Sequence, residues 1–458
     1  MSQHRRHPSL SLVWRGLLRV LTVVALLVLP GVRAASVARS HGGQFVVYGS
    51  PAYQSLFQES TIPAGCVRLE PELLAIGAGR VRSAILEQLR LTDRRAVPIE
   101  IAILPVSSNN RALTIHSTRY NDGWQFRLGV PYEVEETKLL KGLTHLVLID
   151  LANHGSASGA ELPDWLSEGF TRLITGSIGP AYLMQRQGYQ NQETRGYDLL
   201  ARSRDTLRKT VPVSFGDIVS GQPKEAVSPE VRAAAAHLMV HDLLSRPDGP
   251  ARMRDFLRLC SAHLNWQTAL IQAFNNRFQS LLDIEKWWSV AWIDLTSRAD
   301  SVTLSRAESL ARLERVLEVG IEYRPSTNQI PSTRFVSLQE ALEQLDDASR
   351  RETCLRKASQ LQLAVFGMEP GVASLTRSYF QALDEFIRAR AMVEYSPGLR
   401  KGAGQELRAV LKQTRIRLDA LDRKRTAMDR RDVPRPNEVA LRKNTGPARE
   451  NPQPKPRR

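Results

Sequence analysis

The sequence predicts an α+β fold: a small mixed sheet with helices comes first, and an all-α module follows. Three observations carry this expectation. Short apolar or alternating runs dominate before residue 131. From Glu135 onward the apolar spacing changes to three and four. Beyond residue 300 the segments are amphipathic at helical period.

Residues 1–35 are expected to be a secretory signal. Arg5, Arg6 and Arg15 form a positive start, Leu21 to Leu29 an apolar stretch, and Val32-Arg33-Ala34 a cleavage site. The alternative is a retained N-terminal anchor, although the apolar run is short for a membrane span. No later stretch approaches such a span, so the mature chain is expected to carry none and to reside in a periplasmic or extracellular compartment.

Residues 36–134 are expected to form the α/β part of the first domain. Gln44 to Tyr48 and Val97 to Leu104 are strand-like, and Val81, Ile85 and Leu89 share a helix face between them. Trp124, Phe126, Leu128 and Val130 alternate after an Asp-Gly turn, the pattern of a half-buried strand. Residues 135–299 are expected to be the helical part. A helix over 135–153 places Leu139, Leu143, Leu146 and Val147 on one face, and Leu162-Pro163 opens another. Helices are expected to continue over 230–245 and 250–294, with Trp287, Trp288 and Trp292 packing in a core.

Residues 300–422 read as a separate all-helical module. "LSRAESLARLERVLEVGIEY" and "SLTRSYFQALDEFIRARAMVEY" are amphipathic, and Leu407, Leu411, Thr414, Leu418 and Leu421 mark a short heptad seam. Two heptads suit an intramolecular hairpin or bundle. Residues 423–458, rich in Pro, Arg and Asn, bury too little apolar surface to fold and are expected to be a disordered basic tail.

The net charge of +16 is concentrated at the ends. Residues 1–35 carry five Arg and no acid, and 423–458 carry twelve Lys/Arg against four acids, leaving +3 for 36–422. The tail lacks the aromatics that stack on bases, which argues against nucleic acid as a partner. Anionic envelope surfaces remain a candidate partner for it. Cys66, Cys260 and Cys354 are too few and scattered for a disulfide framework. They are expected to be isolated thiols, with one bridge of unassigned pairing as the alternative.

The chemistry-bearing stretch is "LLKGLTHLVLIDLANHGSASGAELPDWLSEGF", Leu139 to Phe170. It resembles the gluzincin peptidase-MA-like family, the thermolysin and aminopeptidase superfamily, whose members pair a His-Glu-x-x-His helix with a downstream P-x-W-L-x-E-G helix. "AAAAHLMVHDLLSRPDGPARMRDFLRLC" and "ALIQAFNNRFQSLLDIEKWWSVAW" resemble the family's later helices, so the likeness covers about residues 44–294. It implies a zincin-like domain. In such a site two His and one Glu hold Zn²⁺, which lowers the pKa of bound water to about 7, and a second Glu takes the proton.

Carried over position by position, His145 matches the second zinc His and Glu168 the third ligand. Lys141 replaces the first ligand and Gly142 the general base. His237 lies near the place where a related enzyme supports the tetrahedral intermediate. Two ligands beside an ammonium make a poor zinc site, so no cofactor is expected, and zinc only if the chain is active. Lys141 is expected to stand in for the cation in an ion pair with Glu168 that joins the two helices. The alternative has Lys141 turned outward and Glu168 bonded locally. A second alternative rebuilds a metal site from His145 and Glu168 with His154 or His237.

Other catalytic patterns are weak. "LSEGF" gives Ser167 no nucleophile-elbow context, there is no phosphate-binding Gly-rich loop, and Glu135 and Glu136 suit a helix N-terminus. The expected function is an exported pseudopeptidase that binds a protein or peptide in its cleft or acts as a scaffold. The alternatives are a zinc metallopeptidase with non-standard ligands and docking on anionic surfaces through the tail.

Overall fold

The computed structural model describes residues 36–49, 65–91, 97–105, 112–121, 123–184, 198–219, 227–297, 304–323, 332–395 and 403–430. The expected signal, Asp122 of the Asp-Gly turn, and the tail from 431 lie outside these residues.

The chain is mixed α+β. Strands β1 (Ser36–Arg39) and β2 (Phe45–Gly49) precede β3 (Cys66–Arg68) and helix α1 (Pro71–Gln88). Then come β4 (Ile99–Leu104), β5 (Thr114–Tyr120), β6 (Gly123–Pro131) and β7 (Glu133–Glu135). The main sheet has the order β1-β2-β4-β6-β5, and β3 pairs with β7. β2, β4 and β6 run parallel at its centre, while β1 and β5 are antiparallel edges. The central strands hold β-branched and aromatic residues that are fully buried, among them Val47, Ile101 and Phe126, as a covered sheet requires. Truncating one such Ile to Ala would cost about 2–5 kcal/mol.

Helix α2 (Glu136–Ala152) buries the expected face of Leu139, Leu143, Leu146 and Val147. A buried Arg82–Asp150 pair at 2.8 Å ties α2 to α1. The connection to α3 (Asp164–Ile178) is fixed by Asn153, whose Oδ1 accepts from the Ala160 amide at 2.8 Å and whose Nδ2 donates to Ile149 O at 2.7 Å. Those bonds set where α3 starts, and therefore where Glu168 points. Next come α4 (Pro180–Met184), α5 (Leu199–Arg208), α6 (Phe215–Val219) and α7 (Pro229–Ser245).

The expected helical stretch 250–294 is three helices, α8 (Gly249–Cys260), α9 (Trp266–Ala273) and α10 (Leu281–Ser297). Asn265 caps α9 through the Gln267 amide at 2.8 Å, which a continuous helix would not allow. Trp288 and Trp292 are buried as expected, and Trp287 donates its indole N–H to Asp242 at 2.9 Å.

The C-terminal segment is not all-α. Helix α11 (Arg306–Leu317) is followed by β8 (Val319–Tyr323) and β9 (Ser332–Val336), an antiparallel pair, before α12 (Leu338–Gln344), α13 (Asp347–Ala364), α14 (Pro370–Tyr395) and α15 (Ala403–Arg430). The helical spacing stops at Glu318, which is extended. Val319 and Ile321 are then buried on one face of a strand, with exposed Gly320 between them. Residues 423–430, expected to belong to a disordered tail, are instead helical. Arg425 there meets Glu314 at 3.2 Å and Asp422 at 3.4 Å.

Two hydrophobic cores form, one within residues 38–295 and one within 310–421. The second is nevertheless not a separate body. Fully buried Lys357 sits 2.6 Å from Glu87 Oε1, and Gln360 donates to Glu87 Oε2 at 3.0 Å. Arg80 pairs with Glu352 at 2.8 Å, and Tyr182 donates to the same carboxylate at 2.6 Å. All three cysteines are free, with Cys260 and Cys354 buried one in each core. Among the described residues no helix is long and apolar enough to cross a membrane.

Candidate functional site

Lys141 on α2 and Glu168 on α3 face one another, with Lys141 Nζ 3.2 Å from Glu168 Oε2. Lys141 does not turn outward. The other oxygen of Glu168 lies 3.5 Å from Arg172 Nε, one turn along α3, and Arg172 in turn binds Glu230 through both terminal nitrogens at 2.8 and 3.1 Å. Each oxygen of the carboxylate thus has its own cation. The sequence reading missed Arg172, although its i+4 position relative to Glu168 is the spacing at which helical charges meet.

His145, one turn after Lys141, places Nδ1 2.8 Å from Ser167 Oγ. Burial lowers the pKa of this imidazole and Lys141 lowers it further, against the raising effect of Asp164, so the ring is neutral at pH 7. Ser167 is fully buried and offers no surface to a substrate. Its hydroxyl orients the histidine, a role that the motif alone did not disclose.

Gly142, where the resembled peptidases have their general base, is half-buried beside Leu113. A Cβ built there would lie 2.8 Å from Leu113 Cδ2, just ahead of β5. A side chain there would have to displace the methyl end of half-buried Leu113.

The remaining candidate ligands are dispersed. His237 is buried on α7, with Nδ1 2.9 Å from Ser203 Oγ, and burial, followed by His241, Arg172 and Arg204, holds its pKa well below the usual value. His154 is exposed in the turn after α2. Among the described residues no three His, Cys, Asp or Glu side chains converge as a metal site. The rebuilt set of His145, Glu168, His154 and His237 is therefore not brought together. The donor set around Glu168 does not fit zinc either, because an ammonium and a guanidinium take its two oxygens.

A cavity of about 370 Å³ opens beside the ion pair, walled by Lys141, Asp164, Trp165, Glu168, Arg232 and Ala236 among others. Trp165 stacks on Phe256 at 6.3 Å and meets Trp266 edge-on at 6.0 Å. Its buried indole N–H has no hydrogen-bond partner among the described residues, an orphan donor on the cleft wall. Gly169 lets α3 approach α7 closely, since a Cβ there would collide with the Ala236 carbonyl. The Trp and Gly of the "LPDWLSEGF" motif thus serve packing, and Glu168 serves charge pairing. Glu135, at the start of α2, is held by Lys138 at 2.8 Å and Thr137 at 2.6 Å, and those bonds lower its pKa against a small opposing effect of burial.

No family model matches the chain, and neither curated proteins nor solved structures gave a similar protein.

Proposed function

We propose that this is an exported, non-catalytic chain with a zincin-like first domain, related to gluzincin peptidases, whose cleft holds a protein or peptide segment instead of cutting it. The observation that carries the reading is the Lys141–Glu168 ion pair at 3.2 Å. A carboxylate that would face a metal dication is neutralised internally by side chains of this chain. Loss of a general base alone costs about 10²–10⁴-fold. Here the methyl end of Leu113 also stands against the position of the base.

Two features support binding. The 370 Å³ cavity offers an aromatic wall with an unused N–H. β5 is a sheet edge with most of its residues exposed, and it begins beside the Leu113 that lies against Gly142. An extended peptide can add to such an edge through main-chain hydrogen bonds. The test is pull-down and crosslinking from the compartment of export, with a photoreactive group at Thr118. Crosslinks to one peptide segment, reduced by Trp165→Ala, support the reading. Zinc-dependent hydrolysis of casein by the purified chain contradicts it.

A further inference from the structure

A second cavity, of about 300 Å³, lies where the two cores meet, away from the cleft. Its wall includes Arg90, Arg312 and Arg315. Among the described residues Arg312 donates to the Phe366 carbonyl at 3.1 Å and Arg315 to Ala311 O at 3.4 Å, and the Arg90 guanidinium lies over the Phe335 ring at 5.7 Å. None of the three has a carboxylate within ion-pair distance among the described residues. Of the two acids on the wall, Glu87 is already held by Lys357 at 2.6 Å and Gln360 at 3.0 Å, which leaves Glu318. Glu318 acts on Lys357, and Asp198 acts on Arg312 from beyond ion-pair distance, so none of the three guanidiniums on this wall is in contact with a carboxylate of the described residues.

One more observation points to a missing occupant. His241 Nδ1 and Gln360 Oε1 are buried and have no hydrogen-bond partner among the described residues, and both residues line this cavity. Orphaned polar atoms on a cavity wall call for a ligand group. The positive φ of Arg90, +50°, belongs to the C-terminal cap of α1, where the Leu91 amide donates to Leu86 O at 2.8 Å and the Arg90 amide to Glu87 O at 3.1 Å. Leu173, Leu244, Val316 and Leu363 form an apolar part of a wall that also carries Gln88 and Ser177.

We propose that this cavity binds a small organic anion whose carboxylate meets Arg90, Arg312 and Arg315, whose hydroxyl donates to Gln360, and whose short apolar chain lies on the leucines. The site is independent of the cleft.

The test is calorimetric titration of the whole chain with 3-hydroxyoctanoate, 1-octanol and inorganic phosphate. One saturable site for 3-hydroxyoctanoate and none for 1-octanol is the expected result. Arg315→Gln, at an exposed position, should weaken binding about tenfold, in line with the loss of one charge-assisted bond. Arg90→Gly should weaken it similarly without lowering Tm, because glycine accepts positive φ. Lys141→Ala should leave it unchanged. Absence of saturable 3-hydroxyoctanoate binding overturns the proposal, as does an affinity indifferent to both arginine variants. Loss of binding in Lys141→Ala would move the ligand to the cleft and equally overturn it. Phosphate binding as tight as 3-hydroxyoctanoate would refute the amphiphilic ligand class.

Discussion

Lys141 and Glu168 join two helices through a 3.2 Å contact at the position where the resembled peptidases hold a metal. The pair is partly exposed, with 39% and 27% of the two side chains accessible. Solvent screening therefore keeps its energetic value small, about 0.5–1 kcal/mol. A double-mutant cycle with Lys141→Ala and Glu168→Ala should return a coupling in that range by denaturant unfolding. A coupling of zero would mean that the two groups do not engage in solution.

Restoring the base should be harmful. Gly142→Glu forces a side chain against Leu113, and overpacking of this kind costs about 1–3 kcal/mol. Leu113→Ala in the same chain should recover part of the loss. If Gly142→Glu melts like the parent protein, Leu113 does not obstruct that position.

Gly169→Ala should be among the most destabilising single-methyl changes in the first domain. The added carbon meets the Ala236 carbonyl, which is backbone and cannot swing away, so α3 and α7 must separate. A loss of about 1–3 kcal/mol is expected, read as a lower Tm. Gly155→Ala, at φ +74° with open space around it, would lose stability through backbone strain alone and serves as the comparison.

Acid should loosen the junction of the two cores in two stages. His241 is held at about 4, against 6.5, by burial and then Arg204, so the unfolded chain binds its proton first and stability falls as pH drops from 6.5 toward 4. Glu87 is held at about 2, against 4.5: burial raises it, but Lys357 and Arg356 outweigh burial. Its stabilisation is complete above 4.5 and disappears as pH falls toward 2. Tm measured against pH should show both declines, and Glu87→Gln should flatten the lower one. Lys357→Met, which strands Glu87, should cost about 3–5 kcal/mol at pH 7.

Much of the first domain was legible because its burial is periodic. Leu139, Leu143, Leu146 and Val147 announce α2, and alternation from Trp124 to Val130 announces β6. β5 escaped notice because "TIHSTRY" is polar on both faces at an exposed edge, where no burial pattern is imposed. The β8–β9 pair was hidden because "LERVLEVGIEY" continues an apolar spacing that helix and strand both tolerate over so few residues. At the site, the Lys141–Glu168 pair could be anticipated because Lys141 stands one turn before His145 on one helix and Glu168 lies on the next helix of the resembled motif. The Ser167–His145 bond and the Leu113–Gly142 contact depend on how segments far apart in sequence meet, and no local signal reports that.

Elemental analysis of the dialysed mature protein tests the central claim most directly. The account expects zinc well below one equivalent per chain, and no change in metal content between the parent protein and Glu168→Gln. One equivalent that survives dialysis, disappears in Glu168→Gln and His145→Ala, and accompanies chelator-sensitive peptide cleavage would contradict it.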